Sequence, residues 1–161
     1  MAPVIDRIAA SHGIGSARRL ESLNWHVSLL AIARFDEVFP QLRLDAIEQV
    51  CGSLASPGIT VNHDRLMSFP ASGACALLCT SDTDAAVRRL YATLAVALNR
   101  VGVRGKRSGQ PHLTIFYDRT HAVAQTPLSP ALIWRAADFS LVVSHRGSGY
   151  HQVLRSWPLG Q

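Results

Sequence analysis

The sequence predicts an α+β fold made of two loosely duplicated halves, and three observations carry that reading. Two alternating, strand-like runs, WHVSLLAIA (25–33) and HLTIFY (112–117), each hold a histidine followed two residues later by a hydroxyl. A helical pattern follows the first run and another precedes the second, so each half combines a motif-bearing strand with a helix. Apolar residues make up 48% and charged residues 17% of 161 positions, enough for one sizeable core, expected as a single domain over residues 1–161.

Taken in order, residues 4–10 read as a helix that runs into the glycine-containing loop HGIGSARR. The Gly13-x-Gly15 step there is no nucleotide fingerprint, because no strand precedes it. Residues 25–33 alternate and are rich in branched side chains, as a strand requires. After Pro40, the segment QLRLDAIEQVCGSL puts Leu44, Ile47, Val50 and Leu54 on one helical face, and Ser56-Pro57-Gly58 stops it. The runs ITVNHDRLMSF and ACALLCT, joined by Pro-Ala-Ser-Gly, predict a β-hairpin. Asp82 is the expected N-cap of a long helix that ends at Gly102, with Val87, Leu90, Leu94, Ala97 and Leu98 as its core stripe. Residues 112–117 are strand-like, 126–130 read as a proline-rich loop, and FSLVVS with YHQVLRSW predict a closing hairpin across residues 146–149.

Composition excludes several classes. The longest apolar runs, VSLLAIA and ACALLC, fall far short of the ~18 residues of a membrane span, and the start MAPVIDRIAA carries Asp6 and Arg7 where a signal peptide needs an apolar stretch. A reducing cytoplasm is the expected location. Cys75 and Cys79 are separated by three residues, which is not a zinc-knuckle spacing, and Cys51 has no nearby Cys or His, so ordinary buried thiols and no metal are expected. Sixteen Lys and Arg against eleven Asp and Glu give +5, a balance that favours polyanions such as RNA. The cluster Arg104-Gly105-Lys106-Arg107 stands just before the second histidine motif.

With 7 His and 22 Ser or Thr in the chain, chance alone supplies about one His-x-Ser/Thr step, and the sequence has two, so the count decides nothing. The setting decides more. A strand repeats every two residues, so His26 shares a face with Ser28 and His112 with Thr114, while Val27, Leu29, Leu113 and Ile115 face the core. Two imidazoles that are neutral and charged together near neutral pH suit phosphodiester chemistry, in which one group takes a proton and the other gives one. A hydroxyl on the same face can donate to a non-bridging phosphate oxygen. No metal or other cofactor is needed in that scheme.

With WHVSLLAI, PHLTIFYD, MSFP and the tail FSLVVSHRGSGYHQVLRSWPL in view, the sequence resembles the two-histidine (2H) phosphoesterase superfamily, in particular its bacterial 2'-5' RNA ligase-like, RNA 2',3'-cyclic phosphodiesterase branch. The resemblance implies a bilobal fold whose two antiparallel sheets each bring one motif to a central cleft, with helices outside. It implies hydrolysis of a 2',3'-cyclic phosphate on RNA or a nucleotide to a 2'-phosphate, with RNA ends or cyclic nucleotides as partners and no membrane. On that pattern His112 is the base and His26 the acid, or the reverse, and Ser28 and Thr114 hold phosphate oxygens. Many relatives carry Arg five residues after the second His, where this chain has Tyr117. The missing charge is then supplied by Arg107 or Arg104, or is absent. The family usually opens with a short apolar strand, and this chain begins in the helix that follows it. Tyr150 matches a family tyrosine and is a candidate lining residue; Trp25 is expected to pack away from His26. His145 is expected at the surface near the closing turn, and His12, His63, His121 and His151 as structural or solvent-facing. A 2'-5' ligase, a small-nucleotide phosphodiesterase and a non-catalytic RNA-binding module are the competing readings.

Overall fold

The fold, seen in a computed structural model that describes residues 2–14, 18–32, 41–107, 109–145 and 150–160, is α+β with antiparallel sheets. Its central sheet has the strand order β1-β6-β4-β3-β7, formed by β1 (Arg18–Arg19), β6 (His112–Tyr117), β4 (Ala74–Cys79), β3 (Ile59–Phe69) and β7 (Thr126–Ala136). Two short two-stranded sheets complete it: β2 (Leu30–Ala31) with β5 (Lys106–Arg107), and β8 (Asp138–His145) with β9 (Tyr150–Pro158). Helix α1 (Ala2–Ser11) precedes β1, while α2 (Gln41–Gly52) and α3 (Ser81–Arg100) flank the β3–β4 hairpin in sequence.

Strand β4 explains why the sheet is central. Every residue of ACALLC is buried, as a strand covered on both faces demands, and no polar side chain interrupts it. Two clusters of apolar side chains form the cores of the two lobes. In one, Ile5 and Ile8 of α1 pack on Leu66, Leu77, Leu113, Ile115 and Phe116; in the other, Ile47 of α2 and Leu90, Leu94 and Leu98 of α3 pack on Ile59, Val61, Phe139 and Trp157. The α3 residues are those its 3.6-residue period selects. The three cysteines are buried free thiols, and burial pushes Cys79 up to about 12 and Cys51 to about 11. No helix among the described residues is long and apolar enough to cross a membrane.

Three expectations are corrected. The α3 N-cap is Thr80, whose hydroxyl accepts from Thr83 N at 3.4 Å, while Asp82 and Asp84 lie in the first turn, where their charge still favours the helix dipole. Residues 126–130 belong to β7 and are not a loop: β7 is an edge strand, where proline is tolerated, with Pro127 opposite Arg65 and Pro130 in the break of register between Leu132 and Pro127. The run 25–33 is not one strand. Trp25 follows a 3₁₀ turn (Ser22–Asn24), Val27 makes an isolated bridge, and the ladder resumes only at β2. Residues 33, 40 and the closing turn 146–149 lie outside the described residues, as does Gly15. At the sheet edge beside β6, β1 pairs Arg18 with Tyr117 and Arg19 with Phe116. Gly73 closes the β3–β4 hairpin at φ +71, a conformation that side chains rarely adopt.

His63 is the one histidine among the described residues that is sealed in the core, at 0% exposure. Trp134 Nε1 donates to its Nε2 at 3.3 Å, which leaves the proton on Nδ1, 3.7 Å from Cys79 Sγ. A second proton on Nε2 would face the Trp134 N–H inside a desolvated pocket, and burial accordingly pushes the imidazole down to about 4. The unfolded ring titrates near 6.5, so the unfolded chain holds the extra proton between those values. Stability from this site is therefore complete above pH 6.5 and falls as pH drops toward 4, by up to roughly 3 kcal/mol. Urea unfolding at a series of pH values should show this loss, and His63→Gln should be less stable at pH 7 yet lose most of that dependence.

Candidate active site

The segment carrying the first motif meets the central sheet at one point: an antiparallel bridge pairs Val27 with Leu113. One residue to either side, the same register sets His26 against Thr114 and Ser28 against His112. All four side chains then lie on the face opposite Val27 and Leu113, at the ~5 Å spacing of directly opposed strand residues. The two motifs thus face each other head to tail, related by an approximate two-fold axis through the bridge. Leu113 is 1% exposed, which anchors the register from the core side.

Each imidazole is held the same way. His26 Nδ1 lies 2.7 Å from the Asn24 carbonyl oxygen and His112 Nδ1 lies 2.7 Å from the Gln110 carbonyl oxygen. A carbonyl only accepts, so Nδ1 carries a proton in both rings and Nε2 is left for chemistry. The local chain makes this possible: Asn24 ends the 3₁₀ turn, and Pro111 restricts the backbone after Gln110 while its own carbonyl accepts from Cys79 N at 3.2 Å. Among the described residues neither Ser28 nor Thr114 spends its hydroxyl on a protein partner, so both donors are available on that face.

The other candidates divide. Arg107 sits across from Leu30 in the β2–β5 pair, and its guanidinium lies 5.9 Å from the Tyr91 ring centroid. It lines one small pocket together with Ser28, Arg88, Tyr91, Gly109 and Pro111, so the basic cluster does reach the first motif. Gly105 matters to that approach, because a Cβ there would lie 2.7 Å from Leu30 Cδ2. Tyr117 ends β6, up to roughly 16 Å along the strand from His112; it is 41% exposed, and no described contact joins it to either imidazole. Tyr150 opens β9 with its ring stacked on His145 at 5.5 Å, and no described contact joins it to His26 or His112. Trp25 donates Nε1 to the Leu20 carbonyl at 3.0 Å and packs on the α1 core, away from His26. His145 is exposed and reaches Gln152 at 3.4 Å; His121 pairs with Asp118 at 3.0 Å. The Asp118 carboxylate, which first of all accepts from the Thr120 hydroxyl and amide, is held well below the usual carboxylate range.

Three neighbours escaped the sequence reading. Phe69 touches His112 with ring centroids 4.9 Å apart. The register Arg65–Leu78–His112 across β3, β4 and β6 sets a cation in line with the second histidine; its guanidinium bonds Asp64 and the Cys79 carbonyl. His151 on β9 touches His26 at 4.5 Å between centroids. The two ring contacts and the Arg65 row are tertiary and leave no periodic trace, although MSFP did mark Phe69 as part of the resemblance.

With this geometry in place the comparisons decide the family. Residues 2–147 match the sequence profile of the 2'-5' RNA ligase superfamily. The chain belongs to that superfamily. Solved structures share the fold over its full length: a protein described as a phosphoesterase (TM-score 0.73, 22% identity, 100% of this chain and 94% of that one) and E. coli LigT complexed with 3'-AMP (0.74, 22%, 100% and 94%). A third, TT0787 of Thermus thermophilus, has a TM-score of 0.72 at 16% identity over 99% and 92% of the two chains. No curated protein sequence matched.

The shared ring geometry makes a spectroscopic prediction. Two-bond ¹H–¹⁵N spectra above pH 8 should show both His26 and His112 as the Nδ1–H tautomer. An Nε2–H tautomer at either residue would contradict the carbonyl contacts.

Proposed function

We propose that this member of the superfamily is a phosphodiesterase that hydrolyses the 2',3'-cyclic phosphate of RNA ends or nucleotides to a 2'-phosphate without a metal ion. The observation that carries the reading is the matched pair of imidazoles, each with Nδ1 tied to a carbonyl two residues back, on one face with Ser28 and Thr114. A tied Nδ1 and a working Nε2 are what a general acid and a general base require.

In the forward direction His112 Nε2 accepts a proton from water as its oxygen attacks phosphorus. The bond from phosphorus to the 3'-oxygen breaks, and protonated His26 gives its Nε2 proton to that oxygen. The products are a 3'-hydroxyl and a 2'-phosphate, with the proton roles of the two rings exchanged and restored by solvent. The Ser28 and Thr114 hydroxyls donate to the non-bridging oxygens, where negative charge is concentrated, and Arg107 beside Ser28 supplies positive charge. The same attack with a 5'-hydroxyl in place of water forms a 2'-5' bond as the bond to the 3'-oxygen breaks. Its reversal, in which the 3'-hydroxyl attacks and the 5'-oxygen leaves, exchanges acid and base, which the approximate two-fold arrangement permits.

Two outcomes test this. His26→Ala and His112→Ala should each lower kcat on a 2',3'-cyclic nucleotide by about 10²–10⁴-fold, the scale of one acid or base, and product analysis should find the 2'-phosphate alone. The wild-type rate should be bell-shaped against pH and unchanged by EDTA. Full activity in both single variants, or loss with EDTA, would overturn the assignment.

A further inference from the structure

We infer that His151 is a third imidazole of this site, and that its outer nitrogen, Nε2, donates a hydrogen bond to the bound phosphate beside His26. The inference rests on the reading of the cleft as a phosphate site and adds a ligand-binding residue to it.

Position comes first. β9 passes close to the first motif, so that the rings of His151 and His26 are 4.5 Å apart between centroids and inclined at 56°. That is direct contact, in a tilted arrangement. By strand alternation Tyr150 points to the other face of β9, where it stacks on His145. The side chain that β9 offers the cleft is therefore the histidine.

Next, the hydrogen-bonding of the ring is unfinished. His151 Nδ1 is buried, and among the described residues no protein group bonds to it. A buried histidine that serves only the fold looks different: His63 has Trp134 on one nitrogen and Cys79 beside the other. A sealed N–H without a partner is among the rarest states of a buried polar group, whereas a sealed lone pair is tolerated more often. The proton of neutral His151 therefore belongs on Nε2, the nitrogen that is not sealed. Burial, and after it the charge of nearby His26, hold the ring below its ordinary range, so it is a neutral donor at neutral pH. The site gains a donor without a third positive charge against His26.

Finally, the ring in contact with the other imidazole is not polar. His112 is touched by Phe69, which has nothing to donate. The approximate two-fold symmetry of the four motif residues is thus broken by the rings that touch them, an imidazole against His26 and a phenyl ring against His112. Among the described residues no group of three His, Cys, Asp or Glu has the geometry to hold a metal ion, so a shared cation does not explain the pairing.

The test uses the full chain, with inorganic phosphate and adenosine 2'-monophosphate as probes. In the wild type, either probe should move the His151 ring ¹⁵N signals together with those of His26. His151→Phe keeps an aromatic ring against His26 and removes the donor. It should weaken both probes at least about tenfold, the size of one hydrogen bond to a charged group, and raise KM for a 2',3'-cyclic nucleotide similarly while kcat changes less than about threefold. His151→Gln should recover most of the affinity. Unchanged binding in His151→Phe, loss of kcat with KM intact, or weakening of the nucleotide but not of inorganic phosphate would each overturn the inference. A wild type that binds both probes but turns over no cyclic phosphate would remove the proposed reaction and leave His151 standing. Weakening in His26→Ala but not in His151→Phe would do the opposite, and a wild type that binds neither probe would remove both.

Discussion

The site depends on one backbone contact, the bridge between Val27 and Leu113. The first motif is anchored mostly in the lobe built on α2 and α3, where Val27, Leu29, Leu30 and Ile32 pack, whereas Leu113 belongs to the core under α1. The bridge is the place where those two bodies share a register. Because strand side chains alternate with a period of two, a slip of one residue would turn His26 and Ser28 into the core and bring Val27 out. Burial of Leu113 on one side and of the apolar residues around Val27 on the other resists that slip. The face opposite the packing is then fixed without any direct bond between the two imidazoles.

Within that frame the two imidazoles are oriented by main chain and not by carboxylates. A carboxylate partner would raise the basicity of a ring and add negative charge beside it; a carbonyl fixes the tautomer and leaves net charge unchanged. The two rings receive equal treatment from Asn24 and Gln110, so the difference between them comes from what packs around them: His151 against His26, and Phe69 with the Arg65 row and the Ser28–Arg107–Pro111 pocket on the side of His112.

The helices and the buried strands were legible because burial imposes a period. ACALLC reads as a strand covered on both sides, and the Val87–Leu98 stripe reads as α3. Three features were not legible in the same way. Pro127 and Pro130 disguised β7, since proline excludes a central strand but not an edge. The segment after Trp25 alternates like one strand although it bridges β6 at Val27 and pairs with β5 at Leu30, a change of partner that alternation cannot register. His26, Ser28, His112 and Thr114 were legible as a set because strand geometry alone puts each pair on one face. The place of His151 beside His26 depends on how strands distant in sequence lie against each other, whereas that of Tyr117 at the far end of β6 follows from the length of one strand.

The measurement that bears most directly on this account is a structure of the full chain with a bound nucleotide 2'-phosphate. The account predicts one phosphate group within hydrogen-bond distance, about 2.7–3.2 Å, of Nε2 of both His26 and His112, with the Ser28 and Thr114 hydroxyls on its remaining oxygens. A phosphate that touches only one of the two rings, or that binds elsewhere while both Nε2 atoms face solvent, would contradict it.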